Sequence, residues 1–259
     1  MHKWTVLGPL VLVAVLSVSG CGHSTVRAST PTQQAVSPHA AIPVHADSHV
    51  GAVFLGSTST HSCAAAVLHS KTGDLILTAA HCLAADPDAT FVPGFTGDSG
   101  PAGRWQINTV YLDPRWLADH NPLADYAIAR VSREGGDSLE KVVGPGLAVG
   151  NTPPAGSLVT VTAYPFGSGG PIGCISATGL TPGGFPSLRC AGLVDGTSGA
   201  PWRNGSTVVG VIGGLHGGGC DDTVSYSPPF DGAVMNLLAR AEAGGAGDRS
   251  AQDYQDDCS

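Results

Sequence analysis

The sequence predicts an all-β fold, in which two antiparallel six-stranded-type β-barrels pack together and a C-terminal α-helix follows. The 259 residues include 37 Gly and 19 Pro, a composition that suits many short strands joined by tight turns. Apolar and β-branched runs recur at short intervals in two sets, and only one segment after residue 70 has helical periodicity. With 42% hydrophobic residues, the chain can bury a large core without a second independent domain.

The first set of runs predicts an N-terminal barrel over about residues 47–132. Its expected strands are 50–56, 63–69, 75–80, 105–112 and 126–131. The second set predicts a C-terminal barrel over about residues 155–228. Its expected strands are 158–164, 172–178, 187–193, 207–213 and 223–227. Residues 133–154 are rich in Gly and Pro and are expected to connect the two half-cores.

The C-terminal helix is predicted over about residues 231–243. Val234, Leu237, Leu238 and Ala241 recur at steps of three and four residues, and Asp231 is a suitable N-cap. Residues 244–259 form an acidic, Gly-rich tail that is expected to be mobile. The folded domain as a whole is therefore predicted at residues 47–243.

The N-terminal region predicts export. Residues 1–20 combine Lys3 with a short apolar stretch, as in a signal peptide, and end in Val-Ser-Gly before Cys21. This ending resembles the lipobox of bacterial lipoproteins, so Cys21 is the predicted lipidation site and the chain would sit on the outer face of the membrane. The alternative is an ordinary secretory signal with an incidental Cys. Residues 21–46 are predicted to be a flexible tether.

Charge and cysteine content narrow the possible functions. The formal net charge is −8 with no basic run, so nucleic acid is not an expected partner. Six Cys remain after Cys21, and an even number in an exported chain indicates disulfides, although six Cys allow 15 connectivities. No pair has the CxxC spacing, so a structural zinc site is not predicted. No cofactor or other metal is predicted either.

Three separate segments carry the parts of a nucleophilic hydrolase. His81 follows an apolar run in the block Thr-Ala-Ala-His-Cys, and Asp125 stands at the start of another in the block Asp-Tyr-Ala. Ser198 lies in Gly-Thr-Ser-Gly, where glycines allow a tight turn and expose backbone N–H groups. A serine hydroxyl attacks a carbonyl well when a base takes its proton, a carboxylate orients that base and N–H groups stabilise the oxyanion.

These blocks, in this order and in an all-β context, resemble the trypsin-like (chymotrypsin-fold) serine peptidases, and most of all the short bacterial members. The resemblance spans roughly residues 48–240. It implies that His81 is the general base and acid, that Asp125 orients it and that Ser198 is the nucleophile. It also implies an oxyanion hole formed by the N–H groups of Gly196 and Ser198, and a protein or peptide substrate.

The resemblance further implies a disulfide between Cys63 and Cys82, beside the catalytic His. A bridge between Cys174 and Cys190 is also expected. The pair Cys220 and Cys258 then follows only by elimination.

The sequence departs from the family pattern at several positions. Thr197 stands where many animal members have an Asp that pairs with a new N-terminus, and Arg27 is the only basic residue between Cys21 and Lys71. We therefore expect activity without proteolytic activation. Gly213 stands where members often have a Ser that supports the catalytic Asp, which leaves the support of Asp125 open.

The substrate pocket is expected to be lined by Gly192, Gly213, Gly214 and His216. Gly192 stands at the position of the acid that would select Arg or Lys, so cleavage after basic residues is not expected. His216 is similar to the His of glutamate-specific relatives, but its register differs by about one residue. A surface His in a Gly-rich loop is an equal alternative.

Other functions are weighed against this one. An α/β-hydrolase requires an acid between the nucleophile and the His, and none lies between Ser198 and His216. A subtilisin-like enzyme requires a parallel α/β sheet, which the pattern of this chain does not show, so that class is set aside. Two alternatives from other classes are a catalytically silent lipoprotein of this fold that binds a partner, and metal capture through His39, His45 and His49. A monomer is expected.

Overall fold

The computed structural model describes residues 39–83, 88–97, 99–250, 254, 255 and 258, together with His2 and Trp4. The strands are β1 (His39–Ala40), β2 (Ile42–Pro43), β3 (Val50–Leu55), β4 (Cys63–Leu68), β5 (Leu75–Thr78), β6 (Ala89–Pro93), β7 (Trp105–Leu112), β8 (Ala127–Ser132), β9 (Ala148–Val149), β10 (Leu158–Ala163), β11 (Ile172–Leu180), β12 (Pro186–Ala191), β13 (Pro201–Asn204), β14 (Thr207–Val211) and β15 (Val224–Tyr226). The α-helices are α1 (Ala80–Leu83), α2 (Pro114–Asp119), α3 (Leu139–Val143) and α4 (Gly232–Ala243), and Pro122–Ala124 and Leu215–Gly218 are 3-10 turns.

The first half of the fold is a closed six-stranded barrel, as the sequence predicted. Its strands follow the order β3-β4-β5-β8-β7-β6, and every neighbouring pair is antiparallel. Alternate residues of each strand point into the barrel, as the two-residue period of a strand requires. Val53, Val67, Ile76, Phe91 and Trp105 belong to this interior cluster and are fully buried.

The second half is a nine-stranded sheet, and the second closed barrel that the sequence predicted is not confirmed. Six strands follow one another in the order β14-β13-β10-β11-β12-β15. Between β14 and β15 there is no ladder. One backbone hydrogen bond, from Gly213 N to Tyr226 O (3.0 Å), joins the chain there, together with a bond from Val211 N to Ser227 Oγ. Pro228 and Pro229 follow and have no N–H with which to extend a ladder.

The outward faces of the first barrel are also buried, which explains the nearly continuous apolar runs in its strands. Ala52 and Phe54 of β3 pack in one cluster with Val161 and Trp202 of the second half. The outward residues of β4, β5 and β8 pack with β14 and with α4 in another cluster. Strands that are buried on both faces read as unbroken hydrophobic segments rather than as alternating ones.

The predicted C-terminal helix is confirmed as α4. Asp231 accepts a hydrogen bond from Ala233 N (2.8 Å), which satisfies one of the free N–H groups of the first turn. The short helices α1, α2 and α3 were not predicted, because each has six residues or fewer and offers too few turns for a periodic pattern.

The structure places strands before the predicted domain boundary at residue 47. Strand β1 pairs in parallel with β12, and β2 pairs with β11 through Ile42 opposite Gly173. The last part of the expected tether therefore lies on the second sheet. The segment is short, contains Pro43 and lacks the periodicity of a strand, and it pairs with free strand edges that sequence reasoning could not anticipate.

The described part of the tail beyond residue 243 is also docked, which corrects the expectation that it is mobile. Asp248 N donates to Val110 O (2.8 Å), and Leu112 N donates to Asp248 Oδ2 (2.8 Å). These contacts attach the tail to strand β7 of the first barrel. Among the helices of the described residues, none is long and apolar enough to cross a bilayer.

Candidate active site

His81 and Asp125 lie together at one end of the first barrel. His81 is in α1, directly after β5, and Asp125 directly precedes β8, the strand that pairs with β5. The pairing of these two strands therefore brings the two residues to the same edge. The disulfide between Cys63 and Cys82, which the sequence predicted, fixes α1 to β4.

The Asp125 carboxylate is fully buried and accepts three hydrogen bonds. His81 N donates to Oδ1 (2.9 Å), His81 Nδ1 lies 2.8 Å from Oδ2, and Gly214 N donates to Oδ2 (2.7 Å). Burial by itself would raise the pKa of Asp125. The charge and hydrogen bonds of His81, and the bond from Gly214, outweigh burial and hold the pKa below the ordinary value of 3.8. The group is therefore a carboxylate at neutral pH.

Glycines at 213 and 214 explain how Asp125 is supported without the Ser that relatives often have. A Cβ at Gly213 would lie 2.9 Å from Asp125 Oδ2, so the bare backbone leaves room for the carboxylate. Gly214, with φ of 80°, turns its N–H onto the same oxygen. A backbone donor cannot be read from side-chain motifs, which is why sequence analysis assigned both glycines to the pocket.

Ser198 lies on a turn of the second half that is bound to the first barrel. Its carbonyl oxygen accepts a hydrogen bond from Ala64 N (2.7 Å), and Thr78 Oγ1 donates to Ala64 O (2.7 Å). A Cβ at Gly199 would lie 2.1 Å from Thr78 Oγ1, so only glycine allows this approach. Ser198 and His81 line the same cavity, although no hydrogen bond between their side chains is among those of the described residues.

The predicted oxyanion donors lie on the same turn. Gly196 has φ of 87°, and a Cβ there would lie 2.2 Å from Phe166 N. Within the described part of the chain, the N–H groups of Gly196 and Ser198 donate no backbone hydrogen bond, whereas Thr197 N and Gly199 N bond to Val194 O and Ile212 O. Two N–H donors one residue apart, with no acceptor among the described residues, are what a site for a developing oxyanion requires.

Both active-site segments open onto a cavity of about 810 Å³. His216 lines this cavity, but Gly192, Gly213 and Gly214 are not among its lining residues. Gly192 instead bonds to Asp222 O (2.8 Å), and the other two glycines face Asp125. The lining comprises His81, Leu193, Val194, Asp195, Thr197, Ser198, Ile212, His216, Gly217, Gly218, Gly219, Cys220, Asp221, Asp222, Tyr254, Gln255 and Cys258.

Comparison with known proteins identifies the family. The family model of the trypsin-like peptidase domain matches residues 64–211, which is more than half of the chain. The chain belongs to this family. Trypsin-like peptidases of this family are serine endopeptidases, which confirms the enzyme class that the sequence predicted.

Solved structures share the trypsin-like fold. Protease Anisep from Arthrobacter nicotinovorans is 21% identical, with a TM-score of 0.68 over 78% of this chain and 99% of its own. The thermostable serine protease AL20 from an extremophilic microorganism is also 21% identical, with a TM-score of 0.67 over 77% and 99%. Human heparin binding protein is 14% identical, with a TM-score of 0.64 over 81% and 99%. No curated protein matches the sequence.

The charge of this peptidase's cavity was not foreseen. Asp195, Asp221 and Asp222 are exposed and line it, and they are three carboxylates where the sequence had indicated a pocket without an acid. An electronegative rim disfavours acidic substrate side chains. This charge opposes the glutamate preference that His216 suggested.

The C-terminal residues of the cavity were also missed. Tyr254, Gln255 and Cys258 line it, and Cys258 is held there by the disulfide with Cys220. All three predicted disulfides, including Cys174–Cys190, are therefore present. The pairing of Cys220, beside the Gly-rich segment 213–219, with Cys258 was the sequence signal that could have located the tail at the site.

The described residues offer no histidine cluster for the metal-capture alternative. His39 Nδ1 lies 2.9 Å from Ile175 O, and His49 Nδ1 lies 2.9 Å from Asp47 Oδ1. Where the structure describes side chains, the one grouping of potential ligands is Cys63, His81 and Cys82, and both thiols are consumed by their disulfide.

Proposed function

We propose that this trypsin-like peptidase hydrolyses peptide bonds through an acyl-enzyme, with Ser198 as nucleophile, His81 as general base and acid, and Asp125 as the carboxylate that orients His81. The observation that most supports the proposal is the Asp125–His81 pair. A buried carboxylate that accepts from both the backbone and the ring of His81 holds the proton on Nδ1 and turns Nε2 toward the cavity that Ser198 shares.

The reaction then follows from these positions. Nε2 of His81 takes the proton from Ser198 Oγ while Oγ bonds to the scissile carbonyl carbon. The oxyanion accepts hydrogen bonds from Gly196 N–H and Ser198 N–H, and the proton passes to the leaving amine as the C–N bond breaks. Water repeats the sequence on the ester and restores Ser198.

Thr197 supports activity without proteolytic activation. Its hydroxyl donates to Val194 O (2.6 Å). The side chain that stands where many relatives have a salt-bridging Asp therefore finds its hydrogen-bond partner within its own turn. The turn therefore needs no new N-terminus to hold it. Protein that begins at His39, which keeps β1 and β2, should be active as isolated.

The test of the chemistry is labelling with a fluorophosphonate, which reacts only with an activated serine. Wild type should gain one equivalent of label on the peptide that contains Ser198, and Ser198→Ala should gain none. Thr197→Ser, next to the nucleophile, is the matched control and should label. A folded wild type that fails to label would contradict the proposal and favour the catalytically silent binder.

We further propose export with a lipid anchor at Cys21, which lies outside the described residues along with most of residues 1–38. Three disulfides are consistent with an oxidising compartment. Wild type should incorporate a palmitate analogue and fractionate with membranes, whereas Cys21→Ser should do neither. Incorporation that persists in Cys21→Ser would contradict the anchor.

A further inference from the structure

The segment that follows α4 is anchored to the first barrel on one side of the active site. Asp248 bonds to Val110 O and to Leu112 N, and Arg240 of α4 forms an ion pair with the same carboxylate. Next along the chain, Ser250 Oγ lies 2.7 Å from His120 Nε2. These bonds fix the start of the segment beside α2.

A second anchor attaches Cys258 to the second half of the fold. Cys258 is bonded to Cys220, which belongs to the second half and lines the cavity. The sulfur of Cys258 lies 3.7 Å from His216 O, so the bridge rests on the Gly-rich turn 215–218. Asp248 and Ser250 therefore contact the first half, whereas Cys258 contacts the second half.

Tyr254 lies between these anchors and covers His81. The two rings stack with centroids 5.2 Å apart and planes inclined by 26°. The Tyr254 ring also packs against Trp116, with centroids 5.3 Å apart, and Trp116 is fully buried in the barrel core. One face of the proposed general base is thus occupied by a residue of the same chain, held on a rigid aromatic support.

Tyr254, Gln255 and Cys258 form part of the cavity wall and do not fill the cavity. With Tyr254 and Gln255 in place, about 810 Å³ remains, which lies within the range of sites that hold a ligand. Ser198 lines that remaining space. On either side of Tyr254 along the chain, the described anchors are Asp248, bonded to β7, and Cys258, bonded to Cys220.

We propose that Tyr254, held by the Cys220–Cys258 disulfide, is a specificity-determining residue that narrows the cleft beside His81. The cleft then accepts a short or slender acyl group more readily than a long polypeptide, whose additional residues must pass the Tyr254 ring. This inference rests on the proposed function, because it takes Ser198 as the point of attack.

The test compares an N-acetyl amino-acid ester with a hexapeptide amide that presents the same residue to Ser198. The measured quantity is the ratio of kcat/KM for the hexapeptide to kcat/KM for the ester. Tyr254→Ala and the double variant Cys220→Ser/Cys258→Ser should each raise this ratio at least about tenfold, a difference of roughly 1.4 kcal/mol. Tyr254→Phe, which keeps the ring, should retain the wild-type ratio, and so should Arg249→Ala, an exposed change in the same segment.

Two kinetic results would overturn the proposal. Equal gains on both substrates would mean that the segment is a plug that blocks all turnover, and an unchanged ratio in Tyr254→Ala would mean that the ring does not limit access. Binding of the hexapeptide to inactive Ser198→Ala protein separates this inference from the proposed chemistry. In that background, Tyr254→Ala should lower the Kd of the hexapeptide by about tenfold, whether or not wild type labels with a fluorophosphonate. An unchanged Kd would contradict the proposal that the Tyr254 ring narrows the cleft.

Discussion

The two halves of the molecule contribute to the site in different ways. The first half is a closed barrel in which every strand has two partners, and it holds His81 and Asp125 at the edge of paired strands β5 and β8. The second half is open between β14 and β15, and it presents Ser198 on a turn. The cavity is built mostly from residues 193–222 of this second half and from the C-terminal segment.

This difference separates the proposed proton-transfer pair from the parts that we propose contact substrate. A closed sheet has no free edges and fixes the geometry of the groups at its rim. Turns and terminal segments change more readily without loss of the core, and they commonly carry binding residues. We therefore expect changes in the first half to alter catalysis, and changes around the open edge to alter selectivity.

The largest expected effect tests the pair held by the closed barrel. Asp125→Asn should reduce kcat about 10⁴-fold, because an amide favours the wrong tautomer of His81. The fold should persist, since Oδ1 can still accept from His81 N. Steady-state kinetics on the N-acetyl amino-acid ester measures kcat, and circular dichroism measures whether the fold persists. A loss below tenfold would show that the pair does not govern proton transfer.

Two disulfides that close loops of similar length sharpen the comparison between the halves. The Cys63–Cys82 and Cys174–Cys190 bridges span 19 and 16 residues, so replacing either pair with Ser should lower the free energy of unfolding by about 3 kcal/mol. Only the first bridge ends beside His81. Its removal should also lower kcat in the folded enzyme, as urea titration and kinetics would reveal. Equal loss of kcat in both variants would contradict the proposal that the bridge beside His81 affects catalysis more than the bridge of the second half.

Gly213 stands at the open edge but faces the barrel's carboxylate. Gly213→Ala places a Cβ about 2.9 Å from Asp125 Oδ2 and should displace it, with kcat falling roughly tenfold. Gly232→Ala, where a Cβ would meet nothing within 4 Å, is the control and should leave kcat unchanged. Wild-type kcat in Gly213→Ala would mean that the carboxylate tolerates the contact.

The smallest effect concerns acid stability of the barrel. Burial would raise the pKa of Asp113, but its hydrogen bonds with Arg115 and Tyr126 outweigh burial and lower it below 3.8. The unfolded chain then takes up a proton first, so this stabilisation is complete above about pH 4 and is lost as pH falls through the lower folded value.

Asp113→Asn should accordingly flatten the decline of the free energy of unfolding as pH falls below about 4. Asp222→Asn, an exposed carboxylate of the other half, should not change that decline. Identical pH profiles for wild type and Asp113→Asn would contradict the assignment.

The sequence predicted those parts of the site that depend on side chains in local motifs. His81, Asp125 and Ser198 each stand in a short recognisable block, and the apolar runs located most strands. Strands β6 and β13 were missed because Ala-Thr-Phe-Val-Pro and Pro-Trp-Arg-Asn are short, contain Pro and lack alternation.

Contacts between distant segments could not be predicted. The hydrogen bond from Gly214 N to Asp125 depends on a backbone conformation that no side chain encodes. The stacking of Tyr254 on His81 depends on a disulfide and on Asp248, which join the tail to both halves. The absence of a ladder between β14 and β15 likewise follows from the turn at residues 213–219 and not from any pattern within the strands.

The most direct test of the central claim, that groups from both halves act as one proton-transfer unit, is a double-mutant cycle on kcat. Residues that act as a unit lose their function together, so Ser198→Ala, His81→Ala and the double variant should all retain the same residual activity within a few-fold. Losses that multiply in the double variant would mean that the two residues act independently, and would contradict the account.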